Sequence, residues 1–261
     1  MINIISLVNK KSGAGHISRM INLRKYLLSK KIPSQIYLYN TNKNNYYIKN
    51  NNIFFKKFPT DYYGNKNSIN IIDFPINFKI NFLNKFLVGK IIFFDNKNIK
   101  NSIIQKIVVQ KNKIIFNNFF ISNIIQKKNP NFDFLITTGG ITQKNKKIDK
   151  IIKSKNFKVF YIGPFLKYSK KKMTHKSYLN KLSNSKCLIS NYGISVFESL
   201  FSKIPVLINE VKTDDEVHLK KLGLKKIRDI NIEKFCLNKY RQQLFNKEFV
   251  YNFNDIDEII K

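Results

Sequence analysis

Ile2-Asn3-Ile4-Ile5-Ser6-Leu7-Val8, followed after a short basic link by Ser12-Gly13-Ala14-Gly15-His16, is the stretch whose reading decides the fold. Ile2 to Val8 is an apolar run of strand length. Beyond the glycines, Ile17, Met20, Ile21, Leu23, Leu27 and Leu28 recur at helical spacing. Lys30, Lys31 and Pro33 close that helix, and Gln35 to Tyr39 reads as a second buried strand. The segment is therefore a βαβ unit with a parallel strand pair. Glycines in the turn let a ligand approach the backbone, and the helix start aims free N–H groups at it. His16 stands at the mouth of such a site, and Arg19, three residues on, shares its helix face. An imidazole titrating near about pH 6.5 takes a proton from water or a hydroxyl, and a guanidinium holds phosphate or carboxylate in two-pronged fashion. On local spacing alone, a capping His and a surface Arg explain the pattern equally well.

Outward from this unit, Asn40 to Asn52 is an Asn- and Lys-rich loop. Ser68 to Phe74 and Lys90 to Asp95 read as further strands, and Phe78, Phe82, Leu83, Phe86 and Leu87 mark a short helix between them. The two strands end at Asp73 and Asp95. Carboxylates at the carboxyl ends of parallel strands lie along the crevice where open α/β sheets bind ligands; a turn or N-cap role accounts for them as readily. Ile103 to Phe116 suits a strand pair, Phe119 to Ile125 a helix, and Gln126 to Asn131 a polar connection.

A second series starts with the strand Phe132 to Thr137 and the turn Thr138-Gly139-Gly140, a phosphate-compatible glycine pair. Helix Lys144 to Lys153, strand Lys158 to Ile162 with Gly163-Pro164, helix Met173 to Leu182, strand Cys187 to Ser190, helix Gly193 to Phe201 and strand Pro205 to Ile208 follow. A helix from Asp214 to Leu222 is closed by Gly223, and the tail from Ile232 onward reads as charged helix. Within Ser190-Asn191-Tyr192-Gly193-Ile194-Ser195-Val196-Phe197-Glu198, the helix start and the Ser195 hydroxyl suit a diphosphate, and Glu198 suits ribose hydroxyls. A capping box from Ser195 to Glu198 has the same spacing. The chain thus divides into two α/β halves near residue 125, and a cleft between them is the default site.

The 261 residues carry a formal charge of +32, and the excess is nearly all Lys. Clustered cations draw nucleic acid or acidic lipid. Here Lys accompanies heavy use of Asn and Ile along the whole chain, the mark of a compositional bias that loads solvated faces, so no specific nucleic acid partner is expected and only weak peripheral membrane contact. Cys187 and Cys236 stand apart with no CxxC spacing, which points to a reduced, cytoplasmic chain. The N-terminal apolar run is too short for a signal peptide or a membrane span, and no other segment is long and apolar enough to cross a bilayer.

Taken in order, Gly13-Ala14-Gly15-His16-x-x-Arg19, Ile71-Ile72-Asp73, Phe93-Phe94-Asp95, Ile136-Thr137-Thr138-Gly139-Gly140, Gly163-Pro164, Leu188 to Glu198 and Ile204-Pro205-Val206 form a recognisable series. The chain resembles the GT-B-like UDP-sugar hydrolases of pseudaminic acid biosynthesis and their spore-coat polysaccharide relatives, which are themselves similar to the glycosyltransferase that makes lipid II. The resemblance implies an α/β fold of two Rossmann-like domains, 1–125 and 126–261, facing an interdomain cleft. It implies a substrate of the UDP-diacetamido-trideoxy-hexose type and a catalytic His16 that activates water against the anomeric carbon. Gly13, Gly15, Arg19, Asp73 and Asp95 fall on the sugar side. Gly139, Gly140, Asn191, Gly193, Ser195 and Glu198 fall on the nucleotide side. Helix N-termini and glycine turns neutralise the departing UDP, so neither cofactor nor metal is expected. A UDP-sugar-dependent glycosyltransferase and a basic nucleic-acid-binding protein are the alternatives.

Overall fold

The computed structural model describes residues 1–7, 15–39, 54–74, 83–96, 99, 102–137, 146–162 and 173–260. Gly13, Gly139, Gly140, the loop 40–52 and Gly163-Pro164 lie outside the described residues. Contacts divide the chain into two compact units. Unit 1 is Met1–Val108, Phe116–Ile121 and Tyr251–Lys261, and unit 2 is Val109–Ile115 and Ser122–Val250. The sequence expectation is one boundary near residue 125; the contact pattern also returns the last segment to unit 1.

Unit 1 begins with β1 (Ile2–Leu7), α1 (Gly15–Ser29) and β2 (Ser34–Tyr39), the predicted βαβ unit. β3 (Lys56–Phe58), β4 (Ile69–Asp73), β5 (Lys90–Phe94) and β6 (Ser102–Ile103) complete a sheet of order β3-β2-β1-β4-β5-β6. Every pairing in it is parallel. This is the doubly wound order, in which the chain leaves β1 toward one edge and returns to β4 on its other side. Both faces are covered, which explains why β1 reads as an unbroken apolar run rather than an alternating one. Ile2 and Ile4 join one buried cluster with Ile17, Met20, Leu23 and Leu27 of α1, while Ile5 and Leu7 join another with Tyr37, Phe58, Ile72 and Phe74. Leu28, although on the predicted apolar pattern, is exposed. On the second face Asn3 donates to Asn70 at 3.0 Å, a buried polar pair inside the sheet.

β7 (Lys106–Val109) and β8 (Lys113–Asn117) give the expected strand pair. The helix expected over Phe119 to Ile125 is absent: those residues form no regular secondary structure. Phe119 meets Phe116 edge-on at 5.4 Å while Phe120 stacks on Phe253 at 4.9 Å. Two adjacent aromatic side chains thus bury in different places, which the 100° step of a helix does not serve.

Unit 2 follows with β9 (Phe132–Thr137), α2 (Lys146–Lys153), β10 (Val159–Ile162), α3 (His175–Ser183), β11 (Ser185–Ser190), α4 (Ile194–Phe201), β12 (Val206–Ile208), α5 (Glu216–Leu222) and β13 (Lys225–Lys226). Its sheet has the order β10-β9-β11-β12-β13, again parallel throughout. Gly223 ends α5 in the left-handed region at φ 69°, the conformation that favours glycine at a helix C-terminus. The tail is more varied than the predicted helix. α6 (Leu237–Leu244) gives way to β14 (Glu248–Asn252), which neighbours β8, and α7 (Asn254–Ile260) ends the chain.

α7 belongs to the core of unit 1. Ile256 is fully buried in the α1 cluster, and Tyr26 of α1 donates to Asp257 at 2.6 Å. Replacing Ile256 by Ala deletes buried methyl groups and is expected to lower unit 1 stability by about 2–5 kcal/mol, measured as a shifted midpoint in urea unfolding. An unchanged midpoint would mean that α7 is not part of the cooperative core.

Candidate active site

In unit 1 the strand order reverses between β1 and β4, and four of the predicted residues meet at this place. Asp73 closes β4 opposite Ser6 of β1, and α1, starting just beyond β1, lays His16 and Arg19 over it. His16 Nδ1 lies 2.8 Å from Asp73 Oδ1, with the carboxylate fully buried and the imidazole 21% exposed. Arg19 grips the same carboxylate with two prongs, Nε to Oδ2 at 3.0 Å and Nη2 to Oδ1 at 2.5 Å. Its Nη1 donates to Asp95 Oδ2 at 3.2 Å and to Gln105 Oε1 at 2.6 Å. The guanidinium also lies over the Phe94 ring, 4.8 Å from its centroid. Arg19, expected from sequence to hold a ligand anion, is turned inward onto protein carboxylates.

This network fixes the chemistry of the imidazole. Arg19 Nη2 also approaches His16 Nδ1, at 3.3 Å, but a guanidinium only donates and an ionised carboxylate only accepts. The short contact to Asp73 therefore places a proton on Nδ1 and turns Nε2 away from the carboxylate. Burial by itself would raise the Asp73 carboxyl; the Arg19 charge, and after it His16, outweigh burial and hold it below the usual carboxylate range. Asp95 differs. Burial pushes its carboxyl up, Arg19 opposes that, and the Asp73 charge adds to it. Its backbone is in the left-handed region at φ 55°, which turns the residue off the end of β5. Gln105, which no motif marks, links this cluster to the main chain by donating to the Asn118 carbonyl at 3.2 Å.

Unit 2 has its reversal between β9 and β11, and the turn after β11 carries the other described predictions. Asn209 donates to Asn191 Oδ1 at 2.8 Å, and the Tyr192 N–H donates to the Glu210 carbonyl at 2.7 Å. Gly193 caps α4 with no side-chain hydrogen bond and an extended backbone. A β-carbon there would meet no atom within 4 Å. The residue leaves open space above the helix start, without conformational need for glycine.

The capping box weighed for Ser195 and Glu198 does not form, because the cap is Gly193 and Glu198 lies in the second turn. The Glu198 carboxyl is 1% exposed and takes a 2.7 Å contact from Nε2 of His175, the first residue of α3. Burial raises this carboxyl, with His175 opposing. Glu198, expected to face ribose, is covered by an imidazole. His175 was missed because a lone His at a helix start carries no spacing signal. The one available hint was Thr174, whose hydroxyl caps α3 by accepting from the Ser177 N–H at 3.1 Å.

No protein-family model and no curated protein sequence matches the chain. Among solved structures it is similar to the crystal structure of the glycotransferase of kitacinnamycin, at 9% sequence identity and a TM-score of 0.46 over 93% of this chain and 89% of that one. Among the described residues no helix is long and apolar enough to cross a membrane.

Proposed function

We propose that the protein is a GT-B-like enzyme acting on a nucleotide sugar, with His16 of unit 1 as the base. The observation that carries this reading is the contact of His16 Nδ1 with buried Asp73 at 2.8 Å at the strand-order reversal of unit 1. Such a pair presents a base of fixed tautomer at the position where doubly wound sheets take ligands. His16 removes the proton from an attacking hydroxyl, the oxygen bonds to the anomeric carbon, and the nucleoside diphosphate leaves. With a sugar or lipid hydroxyl as acceptor, the reaction is glycosyl transfer. With water it is hydrolysis of a UDP-sugar, the reading that the ordered run from Gly13-Ala14-Gly15-His16 to Glu198 favours. The test is UDP release from UDP-N-acetyl and UDP-diacetamido sugars, with and without acceptors. Release in buffer alone identifies the hydrolase, and release only with acceptor the transferase. No release in either case, with no UDP binding, overturns the proposal.

A further inference from the structure

Unit 2 contains a cavity of about 730 Å³ between α2 and the segment that follows β13. That volume lies within the range of small-molecule sites, about 300–1,000 Å³. Among the described residues its walls are α2, Ser154 and Phe157 in the link to β10, and residues 227–233, with no part taken by the turn after β11. It is therefore a separate place from the β9–β11 reversal. The walls are pinned by contacts of their own. Lys147, in the first turn of α2, donates through Nζ to the carbonyls of Ile227, Arg228 and Ile230 at 3.3, 2.5 and 3.1 Å. Asn231 turns the facing segment by accepting from the Glu233 N–H at 3.1 Å, and Phe157 lies edge-on against Phe134 of β9 with ring centroids 5.2 Å apart.

The lining has two characters. Ile151 and Ile227 are buried, while Phe157, Ile230 and Ile232 are only half-buried and leave apolar surface in the opening. With them stand four cations, Lys147, Lys150, Lys153 and Arg228, against two carboxylates, Asp229 and Glu233. Each carboxylate already faces a cation, Asp229 with Arg228 at 3.6 Å and Glu233 with Lys150 at 3.8 Å. Lys147 is held by neutral carbonyls, so the lining keeps an excess of positive charge. Apolar surface draws in an apolar body, and the excess charge selects an anionic head at the rim.

We propose that this cavity binds an amphipathic anion, its single apolar chain packed against Ile151, Phe157 and Ile232 and its one phosphate or carboxylate head set among the rim cations. The site stands apart from the nucleotide-sugar reading and does not depend on it.

Isothermal titration of the full chain with decyl phosphate, decanoate, decanol and inorganic phosphate, each kept monomeric, tests the assignment. One equivalent of decyl phosphate or decanoate is expected to bind, decanol about tenfold more weakly and inorganic phosphate not measurably, since each of the last two lacks half of what the cavity recognises. The formal charge of +32 attracts any anion, so variants decide. Lys153→Gln with Arg228→Gln, both at exposed positions, is expected to weaken the two anionic amphiphiles about tenfold and decanol by less than about twofold. Ile232→Ser is expected to weaken all three about fivefold; the Gln pair carries the test if this variant does not fold. Lys56→Gln with Lys57→Gln, two exposed lysines of β3, matches the charge change elsewhere and is expected to leave binding unaltered. A preference between decyl phosphate and decanoate names the head group, and either supports the site. Absence of saturable binding by both, or equal losses in the cavity pair and the β3 pair, overturns the proposal.

Discussion

Replacing Arg19 by Met is expected to destabilise unit 1 by about 3–5 kcal/mol, the range for removing one partner of a buried ion pair. Met keeps apolar bulk against Phe94 and removes the charge. Asp73 is then left fully buried with His16 as its remaining side-chain partner at 2.8 Å. The parent and the variant differ in their dependence on pH. In the parent, the folded Asp73 carboxyl titrates below its unfolded value. Its contribution is present above the unfolded carboxylate pKa of about 4 and is lost as pH falls through the lower folded value. Asp95, raised by burial, contributes in the opposite sense: its stability is present at acid pH and fades as pH rises through its folded pKa. Without Arg19, Asp73 joins Asp95 on that side, because burial then dominates. The gap between parent and variant should be widest near neutrality and narrow toward about pH 3, read from urea midpoints at a series of pH values. A gap independent of pH would show that Arg19 stabilises by packing alone. Asp73→Asn should be milder than Arg19→Met, because Arg19 keeps Asp95 and Gln105 as acceptors.

The same residues show what the sequence could reveal. Ile2 to Leu7 announces a strand buried on both faces because neither Asn3 nor Ser6 breaks its apolar character, and Asn3 finds its polar partner inside the sheet. His16 and Arg19 are tied by helical spacing, and Asp73 and Asp95 by their places at strand ends, so the unit 1 cluster was legible as positions. Its wiring was not. Whether Arg19 turns toward a ligand or toward Asp73 depends on two residues more than fifty positions away in the chain and on Gln105, which lies in no motif. In unit 2, Ser195 and Glu198 have capping-box spacing, but the helix begins at Ile194 with Gly193 as its cap, which puts Glu198 in the second turn, where it meets His175. The tail failed for a related reason. Phe249 and Tyr251 in β14 carry an alternation too short to stand out among lysines and asparagines, and α7 is recruited by the Ile256 contact with α1 rather than by propensity.

The other large expected effect is on turnover. On the proposed mechanism His16→Ala removes the general base, and kcat for sugar-nucleotide cleavage should fall by about 10²–10⁴. The imidazole is partly exposed and not a core side chain, so the urea midpoint should move little. UDP affinity should also hold if the diphosphate contacts lie in unit 2. Asp73→Asn attacks the same function by another route. The amide presents an N–H or a weaker acceptor to Nδ1, the imidazole loses the partner that fixes its proton, and Nε2 is no longer reliably the basic nitrogen. If Asp73 works only through His16, the two losses cannot multiply: once the imidazole is gone, there is nothing left for the carboxylate to orient. The double variant His16→Ala with Asp73→Asn should therefore turn over as slowly as His16→Ala and no slower, after correction for the folded fraction. Multiplying losses would assign Asp73 a separate task at the substrate and dissolve the dyad as a unit. Coinciding rates, together with retained UDP affinity, would place the base chemistry on Nε2 of His16 and limit Asp73 and Arg19 to holding it there.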